Sequence, residues 1–210
     1  MRIQLSEHFT YSKLLRFTLP SIIMMIFTSI YGVVDGIFVS NFVGKIPFAA
    51  INLIMPLLMV LGALGFMIGT GGTAITAKTL GEGKPEQANQ YFSLLVYAAA
   101  IGGIVISLLG ELALRPVSAA LGATGEMLED CVLYGRILLA SQPFFILQYV
   151  FQSFFVAAEK PKLGLYITVG AGMTNIVLDM LLVAVFPMGL AGAAVGTYVR
   201  RVVGGVAAGC

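Results

Sequence analysis

Apolar residues in this chain run in long unbroken stretches. Charge-free, mostly apolar runs cover residues 17–34, continuing past Asp35 to 43, then 46–77, 89–110 and 137–158. A helix that crosses a bilayer needs about 20 such residues, so each run predicts one crossing. A last run, 163–199, holds a single charge, Asp179, and is too long for one crossing. Pro187-Met188-Gly189 divides it, because proline and glycine together mark a turn. The pattern predicts an all-α, polytopic bundle of six transmembrane helices, the fifth and sixth joined by a tight turn.

Composition agrees. Of 210 residues, 59% are hydrophobic and 10% charged, against about 25% charged in soluble domains; mean hydropathy is +0.97. A net charge of +2 gives no basic face for nucleic acid. Cys131 and Cys210 have neither metal-ligand nor disulfide-framework spacing. Residues 1–13 are expected to form a polar segment at the interface. The apolar run after them is too long for a cleavable signal core.

Basic residues orient the bundle. Arg2, Lys13, Arg16, Lys78, Lys84, Lys160 and Lys162 fall on one side, and Lys45, Arg115 and Arg136 on the other. The positive-inside rule puts both termini in the cytoplasm and the acidic loop with Glu126, Glu129 and Asp130 outside. Gly62, Gly65 and Gly69 recur along the second helix, as expected where membrane helices approach closely.

Two acids interrupt apolar helices, Asp35 and Asp179. A charge at mid-membrane costs about 2.5–3.5 kcal/mol on insertion scales and points to function by default. Counted along the helix axes at about 1.5 Å per residue, Asp35 lies about 27 Å and Asp179 about 24 Å from the inner side. Asp35 is nearer the edge, where a wetted structural carboxyl is the alternative. Asn175 stands one turn before Asp179 and shares its face. Thr197, on the returning sixth helix, reaches the same level, unless its hydroxyl only bonds its own backbone. A carboxylate among amide and hydroxyl groups can exchange a proton or hold Na⁺ among hard oxygen ligands.

Other motifs carry less. Gly69-Thr70-Gly71-Gly72-Thr73-Ala74 fits a dinucleotide fingerprint, but it lies within an apolar helix and follows no strand. His8, the single histidine, falls in the polar lead-in, so a His-dependent catalytic triad and an enzyme are not expected.

The residues resemble a known family, the multidrug and toxic compound extrusion (MATE) transporters. The resemblance rests on Leu19-Pro20, Tyr31-Gly32-Val33-Val34-Asp35-Gly36-Ile37-Phe38-Val39, Leu80-Gly81-Glu82-Gly83-Lys84 with Ala88, Asn175-Ile176-Val177-Leu178-Asp179, and Gly189-Leu190-Ala191-Gly192-Ala193-Ala194-Val195-Gly196-Thr197. It implies one six-helix lobe, the N-terminal one, of a twelve-helix, two-lobe antiporter in a bacterial inner membrane. That antiporter would export small cationic or amphipathic drugs in exchange for H⁺ or Na⁺, with no other cofactor. It further implies that Asp35, Asn175, Asp179 and Thr197 form the cation-coupling site, that Tyr134 adds to that site or to the substrate cavity, and that transport needs a second lobe. A related lipid-linked sugar flippase would need cavity bases, for which Arg136 is the candidate, and a non-transporting structural protein is the third reading. One departure stands out: Arg200 and Arg201 fall in the middle of the sixth helix. The division expected is therefore an interfacial segment at 1–13, a six-helix lobe at 14–199 and an atypical or truncated tail at 200–210.

Overall fold

The computed structural model describes residues 11–158 and 160–209, without the side chains of residues 12–14, 16 and 17. Residues 1–10, including His8 and most of the expected interfacial segment, lie outside the described residues, as do Glu159 and Cys210.

The described residues form seven helices: α1 (Tyr11–Phe38), α2 (Lys45–Gly81), α3 (Pro85–Ala120), α4 (Gly125–Ala140), α5 (Gln142–Ala157), α6 (Pro161–Asp179) and α7 (Gly189–Gly209). α1 and α6 each continue into a π-helical turn, Val39–Val43 and Met180–Val185 respectively. With these turns included, Thr18–Val43, α2, α3 and Pro161–Val185 are each long and apolar enough to cross a membrane, and the bent pair α4–α5 makes a fifth span. α7, at 21 residues, is about 31 Å long, the thickness of a hydrocarbon core, but with Arg200 and Arg201 it is less apolar than these spans. The protein is thus a multi-pass membrane protein.

The charge-free runs set some boundaries too narrowly. The expected third helix, 89–110, extends over Pro85–Ala120 and takes in Glu111 and Arg115. The expected fourth helix, 137–158, starts already at Gly125 and bends by 51° between α4 and α5. Pro143 in the first turn of α5 has no backbone N–H to give to the preceding helix. Ser141 closes the α4 end instead, its backbone N–H and its Oγ both donating to the Leu138 carbonyl.

The tail expected to be atypical, 200–210, is a continuation of the last helix as far as residue 209. α7 runs unbroken through Arg200 and Arg201, and both side chains are buried. Arg201 Nη1 donates to the Leu138 carbonyl at 3.1 Å, to Gln142 Oε1 at 3.0 Å and to Ser141 Oγ at 3.4 Å. The arginines are expensive at this depth, but they face the bundle interior and their partners offset part of that cost.

α2 packs against α3, α4 and α5, while α5 also packs on α7. Gly65 allows the α2–α5 approach: a Cβ there would lie 2.9 Å from the Ile146 Cα, which is backbone and cannot yield. One apolar core joins Val39, Ile54, Leu58, Leu114, Leu138 and Ala194, and a smaller one joins Ala99, Ile146 and Val150. α1 is the loosest member: it leans mainly on α6, which leaves a gap between α1 and α5.

Candidate functional site

The packing of α1 on α6 determines where the two acids stand. Asp35 lies one helical turn before the π turn of α1, and Asp179 immediately precedes the π turn that follows α6. Such turns widen the helix locally and recur at functional sites. The two carboxyl groups face each other within interaction range. Asn175 Nδ2 donates to Asp179 Oδ2 at 2.9 Å, and both residues are almost fully buried. Asp35 Oδ1 and Asp179 Oδ1 are buried with no hydrogen-bond donor.

Gly196 on α7 closes the site from the other side. A Cβ there would lie 2.4 Å from Asp179 Oδ1 and 3.4 Å from Asn175 Nδ2, so only glycine lets α7 come this near. Thr197, the next residue, is buried, and its hydroxyl faces that of Tyr134 on α4. Tyr134 is fully buried and lies within electrostatic range of Asp35 and Arg201. The structure thus brings Asp35, Asn175 and Asp179 into one cluster and places Thr197 and Tyr134 beside it as a pair of hydroxyls.

Arg200 acts on both acids from α7, and its single charge leaves the ionised pair one positive charge short. Ionised carboxylates only accept hydrogen bonds. Two that face each other therefore need a proton or a metal ion between them, and their oxygen donors suit a hard cation such as Na⁺. None of the ion pairs among the described residues, Lys84–Glu82, Arg115–Glu129 and Arg136–Glu111, involves either acid. A cavity of about 390 Å³ reaches Asp35 from the α2 side, past Gly36, Ile51 and Asn52.

Three residues beside the site escaped the sequence reading. Gly196 had been seen only as part of a motif. Arg200 Nη1 donates to Tyr31 Oη at 3.0 Å, with the guanidinium 4.8 Å from the Tyr31 ring centre. The spacing carried a signal: Tyr31 is four residues before Asp35, and Arg200 four after Gly196, so each pair shares a helix face.

The family model described as MatE matches residues 20–181. This chain belongs to the MatE family. The MatE lobe is 28% identical over 193 residues to the multidrug export protein MepA of Staphylococcus saprophyticus, covering 92% of this chain and 43% of that protein. To MepA of Staphylococcus aureus strain MRSA252 it is 27% identical over 192 residues, covering 91% and 43%. The chain thus spans less than half the length of these curated relatives. It also superimposes on a crystal structure of MATE in the bent conformation, with a TM-score of 0.86 and 27% identity, over 94% of this chain and 44% of that one. A MOP superfamily transporter from Pyrococcus furiosus, described as having a binding pocket of reversed polarity, matches with a TM-score of 0.86 and 27% identity over 91% and 42%. An inward-facing multidrug resistance MATE transporter matches with a TM-score of 0.80 and 27% identity over 85% and 40%.

Proposed function

We propose that this MatE lobe is the cation-coupling half of an antiporter that exports amphipathic, drug-like compounds, and that Asp35 and Asp179 bind the coupling ion. The observation that carries this reading is the facing pair of buried carboxyls, each with one oxygen that no donor satisfies. A proton or Na⁺ enters from the cavity on the α2 side and neutralises the pair. Asn175 holds Asp179 in place, while Thr197 and Tyr134 supply neutral oxygens. Cation binding favours one packing of α1 on α6, and cation release favours the other, as any differential binding shifts a two-state equilibrium. α1 can respond because it has few other neighbours.

In this reading the substrate path needs a second lobe, from the same polypeptide or from another copy, since alternating access works by one half moving against the other. The orientation in a bacterial cell membrane is the one the basic residues give, with Lys84 and Lys160 facing the cytoplasm. The flippase reading loses its candidate base, because Arg136 is engaged with Glu111 on an exposed face.

Efflux from cells that carry this lobe paired with a second one tests the proposal. Asp179→Asn is expected to remove the dependence of efflux on pH and on Na⁺, at normal protein levels in the membrane. Efflux by Asp179→Asn at the parental rate, with the parental cation dependence, makes Asp179 structural and sinks the mechanism.

A further inference from the structure

The two acids share the bundle interior with a fixed cation. Arg200 stands one helical turn after Gly196, the residue of α7 that abuts Asp179 and Asn175. Residues four apart share a helix face, so Arg200 looks onto the same interior as the acids. It acts electrostatically on both Asp35 and Asp179. It is in ion-pair contact with neither, and none of the ion pairs among the described residues includes it. Arg201, the next residue, is taken up instead by Leu138 and Gln142 at the bend between α4 and α5.

Tyr31 holds Arg200 at this distance. Arg200 Nη1 donates to Tyr31 Oη at 3.0 Å, and its guanidinium lies 4.8 Å from the Tyr31 ring centre. The ring is wedged against α6, where a Cβ on Gly172 would meet Tyr31 Cδ1 at 2.8 Å. Tyr31 precedes Asp35 by one turn of α1, and Gly172 precedes Asn175 by about one turn of α6. The three helices that build the acid site therefore also clamp a guanidinium beside it. Arg200 is 8% exposed, and its Nε has no hydrogen-bond partner. A guanidinium stays charged, so this positive charge, unlike that of a bound ion, is a permanent part of the site.

That charge changes which ion fits. Two ionised carboxylates beside an amide and a hydroxyl are oxygen donors of the kind that Ca²⁺ takes in flexible geometry. By their two negative charges alone, Asp35 and Asp179 would balance a divalent ion. With the single positive charge of Arg200 counted, the site carries one net negative charge. One proton or one Na⁺ balances it, and Ca²⁺ overshoots. Among the described residues no third acid joins the pair to restore the difference. The bundle interior screens charges weakly, so a guanidinium beyond contact distance still counts.

We infer that Arg200 sets the charge selectivity of the Asp35–Asp179 site, admitting one singly charged ion and excluding divalent ones. This rests on the coupling reading above and adds to it the residue that determines the class of ion. Coulomb energy is proportional to the charge of the ion, so Arg200 opposes Ca²⁺ about twice as strongly as Na⁺.

The test is ion binding by the full chain in a neutral detergent. Apparent affinities for Na⁺ and Ca²⁺ are read from the rise in unfolding temperature, at one alkaline pH and at ionic strength held constant with choline chloride. The unmodified protein is expected to bind Ca²⁺ no more tightly than Na⁺. Arg200→Gln should tighten both, and the factor for Ca²⁺ should be about the square of that for Na⁺: about hundredfold where Na⁺ gains about tenfold. Arg200→Lys keeps the charge and should keep the parental preference. Tighter binding of Ca²⁺ than of Na⁺ by the unmodified protein overturns the inference without any variant. Equal gains for the two ions in Arg200→Gln, or no gain, overturn it too, and so does an Arg200→Lys protein that gains Ca²⁺ as Arg200→Gln does; Arg200 then only clasps Tyr31. A Ca²⁺ gain that survives in the double variant Arg200→Gln/Asp179→Asn puts the ion elsewhere and also defeats it. The efflux test of coupling uses Asp179→Asn with Arg200 in place, so a failure of charge selectivity leaves that reading standing.

Discussion

Gly196 decides whether Asp179 can hold its position. The residue at this point of α7 lies so near the carboxylate that a single methyl group would collide with Oδ1. Gly196→Ala is therefore expected to push Asp179 off Asn175 or α7 off α6. Overpacking of this kind costs about 1–3 kcal/mol. Thermal unfolding in detergent should show that loss, and cation-dependent efflux should fall with it; parental stability and efflux together would mean that α7 does not close the site. Asn175 and Asp179 could be paired from the sequence alone, because their four-residue spacing fixes one helix face. The approach of Gly196 could not, since it depends on how α7 packs across two other helices.

At the scale of the helices, Arg201 has changed its meaning. From the sequence, two adjacent arginines inside the sixth helix stand out as a departure, because charge at mid-depth is expensive. In the fold, Arg201 binds the acceptors Leu138, Ser141 and Gln142 at the bend between α4 and α5. The Leu138 carbonyl keeps its bonds from Ser141, but removing the arginine takes the donor from Gln142 Oε1, at about 1–3 kcal/mol. Arg201→Leu is thus expected to lower the unfolding temperature, and Arg201→Lys to recover part of the loss. A higher unfolding temperature for Arg201→Leu would return the arginine to the status of a misplaced charge. The bend itself was hidden from the sequence reading. Glu126, Glu129, Asp130 and Arg136 made the start of the span look like a loop, whereas most of these charges point outward and α4 is fully helical. The two π turns after the acids left no signal either, because they arise from how α1 and α6 settle against each other.

For the whole molecule, the long apolar runs made the class of fold and most crossings legible, because a bilayer forces length and apolarity on each span. Orientation follows from the basic loops. With Cys131 and Cys210 replaced by alanine, Lys84→Cys and Lys160→Cys should resist an impermeant thiol reagent added to intact cells; prompt labelling of either would invert the bundle. The central claim is that Asp35 and Asp179 together bind one coupling cation. A ligand that binds the folded state alone raises its stability by about 2.7 kcal/mol at one hundred times its Kd, so the lobe in detergent can report on its own site. The deciding measurement is the unfolding temperature of the unmodified lobe, Asp35→Asn and Asp179→Asn across a grid of pH and Na⁺ concentration at constant ionic strength. The account predicts a cation-dependent rise in the unmodified lobe that either substitution removes. A variant that keeps the full parental response would contradict it.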